Sequence, residues 1–96
     1  MTVTALKKVK ENLLETKKET EALIDKMAHE YTTIILMKDS GILEGKNEEA
    51  DEIIAGLLAQ GTIANKTKIA IEKEIGLIDK AIEELSKEEE GKTGKA

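Results

Sequence analysis

The sequence lacks cysteine, proline, tryptophan, phenylalanine and arginine, and Tyr31 is its only aromatic residue. The absence of cysteine excludes disulfides, thiolate zinc sites and cysteine nucleophiles. Arginine and stacked aromatic rings are the groups that most often hold phosphates and bases, and the chain also carries a formal net charge of -5. We therefore expect no nucleic-acid binding.

Long apolar runs are missing as well. The longest, residues 34–37, contains four residues, whereas a membrane-spanning helix needs roughly 18. The first ten residues place lysines after a few apolar residues, with no apolar run behind them, which is not the pattern of a signal peptide. These features predict no membrane span and favour a cytoplasmic location without fixing it.

Helix-forming residues dominate the chain, and its apolar residues recur in steps of three and four. The pattern predicts a single helical domain followed by a disordered tail, which has too few apolar residues to pack. The predicted boundaries are residues 1–90 for the domain, about 3–38 for the first helix, 39–46 for the loop, about 47–87 for the second helix and 91–96 for the tail.

The loop residues indicate how the helices end and begin. Gly41 can adopt the left-handed conformation that closes many helices, and Ile42 is placed for the apolar contact that often accompanies such a cap. Asn47 is a candidate N-cap of the second helix, because glutamates follow it in the first turn.

Each predicted helix has a seam of residues at heptad spacing. The first seam is Leu6, Val9, Leu13, Thr16, Thr20, Ile24, Met27, Tyr31 and Ile34. The second is Ala50, Ile54, Leu57, Gly61, Ala64, Lys68, Ile71, Ile75, Ile78, Ile82 and Leu85. An antiparallel pairing in which facing residue numbers add to 88 matches the two seams. The predicted fold is therefore all-α, an antiparallel two-helix hairpin that is coiled-coil-like; the alternative is a three-helix bundle with a break near Gly61.

Apolar residues outside the seams make the stripe wider than two helices need. Those that widen it away from the loop are Leu14, Leu23, Ile69 and Leu77. Those near the loop form the predicted protein interface: Ile35, Leu36, Met37, Ile42, Leu43, Ile53, Leu58 and Ile63. We expect a homodimer that completes a four-helix bundle, or another helical protein partner.

The sequence contains no pattern typical of an active site. His29 is the only histidine; Glu21 and Asp25 precede it on one helix face, but this ladder lies outside the seam and lacks the Glu-x-x-His spacing of bundle metal sites. The loop between Gly41 and Gly45 departs from a phosphate-binding loop in its spacing and in the absence of a preceding strand. We predict no catalytic, cofactor-binding or metal-binding residues, no cofactor and no small-molecule substrate, and hence no enzyme.

Two functions follow from these features. The first is a non-enzymatic helical interaction protein that acts through its apolar helix-packing surface: an adaptor, a chaperone, a secretion accessory or a phage-type factor. In length and layout the chain resembles the small helical hairpins exported by type VII secretion, but Asp39-Ser40-Gly41 replaces their Trp-x-Gly turn and no family is assigned. The second is an acidic inhibitor or antitoxin-like regulator that sequesters a basic protein. Its predicted acidic patch is Glu44, Glu48, Glu49, Asp51 and Glu52.

Overall fold

A computed structural model describes the backbone of residues 2–94 and the side chains of residues 2–88. Two long α-helices, α1 (Val3–Asp39) and α2 (Asn47–Gly94), pack against each other. Helix accounts for 91% of the described residues, and no strand occurs among them. The prediction of an all-α chain with two long paired helices is confirmed.

Helix α2 passes through Gly61 without interruption, so the alternative of a three-helix bundle broken there is wrong. Gly61 is half-buried in the seam, and packing of the turns on either side outweighs the cost of about 1 kcal/mol that glycine adds to a helix. The helix also continues past its predicted end near Lys87, because glutamate and lysine favour helix and no proline stops it. Residues 91–94 of the predicted disordered tail are thus helical, whereas residues 95 and 96 lie outside the described residues.

Local hydrogen bonds explain where α1 begins and ends. The Thr2 hydroxyl accepts a hydrogen bond from the Ala5 amide at 3.1 Å and caps the first turn. At the other end, Gly41 has φ of +81° and its amide donates to the Lys38 carbonyl at 3.2 Å. The predicted left-handed role of Gly41 is confirmed. The expected cap contact of Ile42 is not confirmed, because 70% of this side chain is exposed.

The N-cap of α2 lies one residue before the predicted Asn47. The Ala50 amide donates to the Lys46 carbonyl at 3.0 Å, which makes Lys46 the N-cap and Asn47 the first helical residue. The reason is a tight turn immediately before it: Gly45 has φ of +83°, and the Lys46 amide donates to the Leu43 carbonyl at 2.8 Å.

The chain forms two compact units, each with a part of both helices. The terminal unit comprises Met1–Lys18 and Ile69–Ala96, and the loop unit comprises Glu19–Lys68. The terminal unit has ten acidic residues and ten lysines, whereas the loop unit has ten acidic residues and five lysines. The whole formal net charge of -5 therefore belongs to the loop unit.

The seam predicted for α2 is confirmed. All eleven of its residues are buried or half-buried, and Ala50, Ala64 and Ile71 are the most enclosed, with 3%, 7% and 7% exposure. In α1, Leu6 and Met27 are buried at 8% and 6% exposure. Each of these five buried residues is a predicted seam residue.

The seam of α1 differs from the prediction in the terminal unit. Val9 and Thr16 are exposed, and the lysines that follow them, Lys10 and Lys17, are half-buried instead. The Lys10 ammonium lies 2.6 Å from Asp79 on α2, and Lys17 lies 4.0 Å from Glu72. A lysine can place its aliphatic stem in a seam while its ammonium group reaches a carboxylate at the edge. The α1 seam therefore keeps a strict heptad spacing through Lys10 and Lys17, and Val9 and Thr16 lie outside it.

Two further ion pairs join the helices in the loop unit. Lys38 lies 2.5 Å from Asp51, and Lys68 lies 3.7 Å from Glu21. In each unit the residue numbers of every interhelical ion pair add to 89, one more than the value predicted for facing seam residues. The predicted antiparallel register is thus correct within one residue in each unit.

Replacing Lys10 by methionine tests how much the seam ion pairs contribute. We expect the free energy of unfolding to change by less than about 1 kcal/mol, because exposed pairs contribute little and methionine keeps an unbranched apolar stem in the seam. Lys10→Glu, which places a carboxylate beside Asp79, should destabilise by about 1 kcal/mol or more. Urea unfolding at one fixed protein concentration measures both. Equal destabilisation by the two variants would show that the ion pair, and not the stem, holds this layer together.

Two glycines should respond in opposite directions to alanine. A Cβ at Gly76, an exposed position within α2, would meet nothing within 4 Å, so Gly76→Ala should stabilise by up to about 1 kcal/mol. Gly41→Ala should destabilise by about 1 kcal/mol or more, because the residue has φ of +81°. Thermal unfolding followed by circular dichroism gives the sign of each effect, and stabilisation by both substitutions would contradict the described loop conformation.

Candidate interaction surface

One side of the loop unit carries both of its interhelical ion pairs. We call this side the paired face. It is defined by Glu21 and Lys38 on α1 and by Asp51 and Lys68 on α2. Leu58 follows Asp51 by one heptad and therefore lies on the same side of α2. The paired face is held together by charge across the seam, at side chains that remain partly solvated.

The other side of the loop unit lacks such pairs and contains two apolar grooves. Leu23 comes two residues after Glu21, and Ile53 comes two residues after Asp51, which places each about 160° around its helix from the paired face. We call this side the groove face. The first groove, of about 330 Å³, is lined by Thr20, Leu23, Met27, Gln60, Ile63, Ala64 and Thr67. The second, of about 410 Å³, is lined by His29, Glu30, Thr33, Ile34, Ile53 and Leu57.

The grooves combine buried floors with exposed apolar walls. Met27 and Ala64 are buried and belong to the seam. Leu23, Ile53 and Ile63 rise beside them with 50%, 51% and 66% of their surface exposed. Glu30 and His29 are the charged or titratable residues among those that line the two grooves. Such a surface suits apolar side chains from another helix better than a polar small molecule.

The predicted interface residues divide into three sets. Ile53 and Ile63 line the grooves. Leu36, Ile42 and Leu58 are exposed elsewhere, with 63%, 70% and 53% of their surface accessible. The remaining three are half-buried within the loop unit: Ile35, Met37 and Leu43.

Five polar groove residues were predicted neither as seam nor as interface residues. They are His29, Glu30, Thr33, Gln60 and Thr67. The threonines satisfy their hydroxyls locally: Thr33 donates to the His29 carbonyl at 2.9 Å and Thr67 to the Ile63 carbonyl at 3.0 Å. Each threonine lies two residues after a residue that shares its heptad position with Lys38 or Asp51. Knowledge of these ion pairs would therefore have indicated that the threonines lie on the groove face.

The residues of the predicted acidic patch are all exposed. Asp51 is ion-paired with Lys38, so its charge is partly compensated. Glu48 and Glu49 stand in the first turn of α2, where the positive end of the helix dipole favours carboxylates. The patch is a solvated acidic surface whose members also stabilise the start of the helix.

His29 is exposed at the edge of the second groove. Among residues with described side chains, no group of three or more histidines and carboxylates is arranged to hold a metal ion. Within residues 2–94, neither helix has a stretch of sufficient length and hydropathy to cross a bilayer.

The chain was compared with protein-family models, with curated proteins and with solved structures. No family model matches it, and no curated protein or solved structure is significantly similar to it.

Proposed function

We propose that this protein is a non-enzymatic helical interaction protein that receives an apolar helix face in the two grooves of the loop unit. The observation that carries the proposal is the pair of adjacent apolar grooves on the side of the loop unit opposite its ion pairs. Adaptors, chaperones, secretion accessories and phage-type factors use this helix-in-groove mode.

Burial supports this proposal. Among the residues with described side chains, five apolar residues are buried and ten large apolar residues are exposed. No large side chain within residues 2–88 is less than 2% exposed. Covering a half-exposed leucine or isoleucine contributes about 1 kcal/mol, so the groove walls together offer a modest favourable term to a helix that docks there. A partner helix would supply the second layer that a two-helix core lacks.

Ile53 and Leu58 form a matched pair for testing the proposal. Their exposed fractions are 51% and 53%, but Ile53 lines the second groove and Leu58 lies on the paired face. In affinity capture from the source cell with the full chain, Ile53→Asp should abolish partner recovery and Leu58→Asp should leave it. Recovery should also persist in about 0.5 M salt, because apolar contacts are not screened.

Circular dichroism of both variants controls for folding. Equal recovery with wild type and Ile53→Asp, or equal loss with both aspartate variants, would contradict binding in the grooves.

A regulator that sequesters a basic protein is the second candidate. The observation that favours it is the concentration of the formal net charge of -5 in the loop unit, with Glu48 and Glu49 exposed at the start of α2. This function predicts recovery that falls steeply with salt and is lost in Glu48→Lys/Glu49→Lys but not in Ile53→Asp. The helical content of the lysine double variant should be checked, because two cations at a helix N-terminus weaken it.

A further inference from the structure

We propose that the occupant of the grooves is a second copy of this chain, docked antiparallel across a two-fold axis that lies between the two grooves. The proposal rests on the proposed function and names its partner. Two features of the groove face support a second copy. On α1, two opposite charges would pair with the same two charges of an antiparallel copy, and on α2, a large side chain would meet a gap. Both features place the two-fold axis at the same level of the loop unit.

The charge feature lies on α1. Lys26 and Glu30 are one turn apart, on the flank of α1 that carries Leu23, and Glu30 lines the second groove. When two such helices run antiparallel about the position midway between these residues, Lys26 of each copy faces Glu30 of the other. The midpoint is Ala28. Self-complementary placement of this kind is what an isologous two-fold interface requires.

The size feature lies on α2. Ile63 is 66% exposed, and Gly56, two turns earlier on the same flank, leaves open space where a Cβ would meet nothing within 4 Å. An antiparallel copy of α2 places the protruding Ile63 of each chain against the Gly56 of the other, a large side chain against a gap. The midpoint of this pair falls between Ala59 and Gln60.

The two midpoints lie at one level. In the register in which facing residue numbers add to 88, Ala28 on α1 lies opposite Gln60 on α2. The axis derived from charge and the axis derived from size therefore coincide within one residue. Because each was located without the other, their agreement favours a second copy over an unrelated helix.

The same axis exchanges the two grooves. It brings Leu23, a wall of the first groove, opposite Thr33 in the second groove of the other copy. It likewise brings Ile53, from the second groove, within one residue of Thr67 in the first groove of the other copy. On each helix, an apolar wall residue of one copy thus meets a threonine that lines a groove of the other copy.

Several acidic residues of the loop unit lie away from this contact. Heptad position puts Asp25 and Glu48 on the side of their helices toward the paired face, where Asp51 also lies. These charges of the acidic loop unit would point outward in the dimer. At distances beyond about 8 Å at physiological salt, the repulsion between the two copies is largely screened.

Sedimentation equilibrium and a charge swap test the proposal on the full chain. Wild type at micromolar concentration should sediment at twice the chain mass of 10.5 kDa. Lys26→Glu and Glu30→Lys should each raise the dimer Kd at least about tenfold, because each creates two like-charge contacts across the axis. The double variant Lys26→Glu/Glu30→Lys should restore the wild-type Kd. Lys7→Glu, which likewise reverses an exposed lysine of α1 but in the terminal unit, is the control and should leave the dimer Kd unchanged.

The absence of cysteine allows a second readout. Gln60 lies within one residue of the axis, so Gln60→Cys should form a disulfide-linked dimer on mild oxidation, whereas Leu58→Cys on the paired face should not. A helical chain that stays at 10.5 kDa, or a dimer that tolerates Lys26→Glu and links through Leu58→Cys, overturns the proposal.

The outcome separates this inference from the proposed function. A monomer that still captures a partner through Ile53 would keep the proposed function and remove the second copy as occupant. A dimer that follows the charge swap but captures no other protein would confirm the inference and limit the function to self-association.

Discussion

The seam between α1 and α2 is the contact on which everything else in this protein depends. With only two helices, a side chain can be buried only where one helix faces the other, and that line repeats every seven residues on each helix. The repeat therefore sets which residues are available for any further contact. In the loop unit, Leu23 and Ile53, each two residues beyond an ion-paired carboxylate, become walls of the grooves.

Lysine in the seam has a structural consequence beyond the loss of apolar contact. Lys38 and Lys68 each reach a carboxylate at the same edge of the loop unit, so one side of the seam is bridged by charge and the other is not. Exposed ion pairs contribute little to stability. Their effect here is on the surface: they make one side of the loop unit polar and well solvated, and the apolar grooves lie on the opposite side.

The sequence predicts most of this fold, because heptad spacing and loop chemistry are local signals. The α2 seam and the left-handed Gly41 are recognisable from residue type alone. The α1 seam is not, because Val9 and Thr16 are better core residues by composition than Lys10 and Lys17, and only the facing carboxylates Asp79 and Glu72 favour the lysines. The candidate surface was predicted as a group of apolar residues near the loop. Its division into a paired face and a groove face depends on ion pairs that no single helix reveals.

Because the core is thin, a helix bound in the grooves would affect the stability of the folded hairpin. Met27 and Ala64 are seam residues, yet they also line the first groove, so the same side chains hold the hairpin together and meet whatever docks there. A ligand that binds the folded state alone stabilises it by an amount that grows with its concentration relative to Kd. The presence of only one aromatic residue, Tyr31, acts in the same direction, because leucine, isoleucine and alanine enclose little volume between two helices. A helix in the grooves would therefore act as the missing layer of the core as well as a partner.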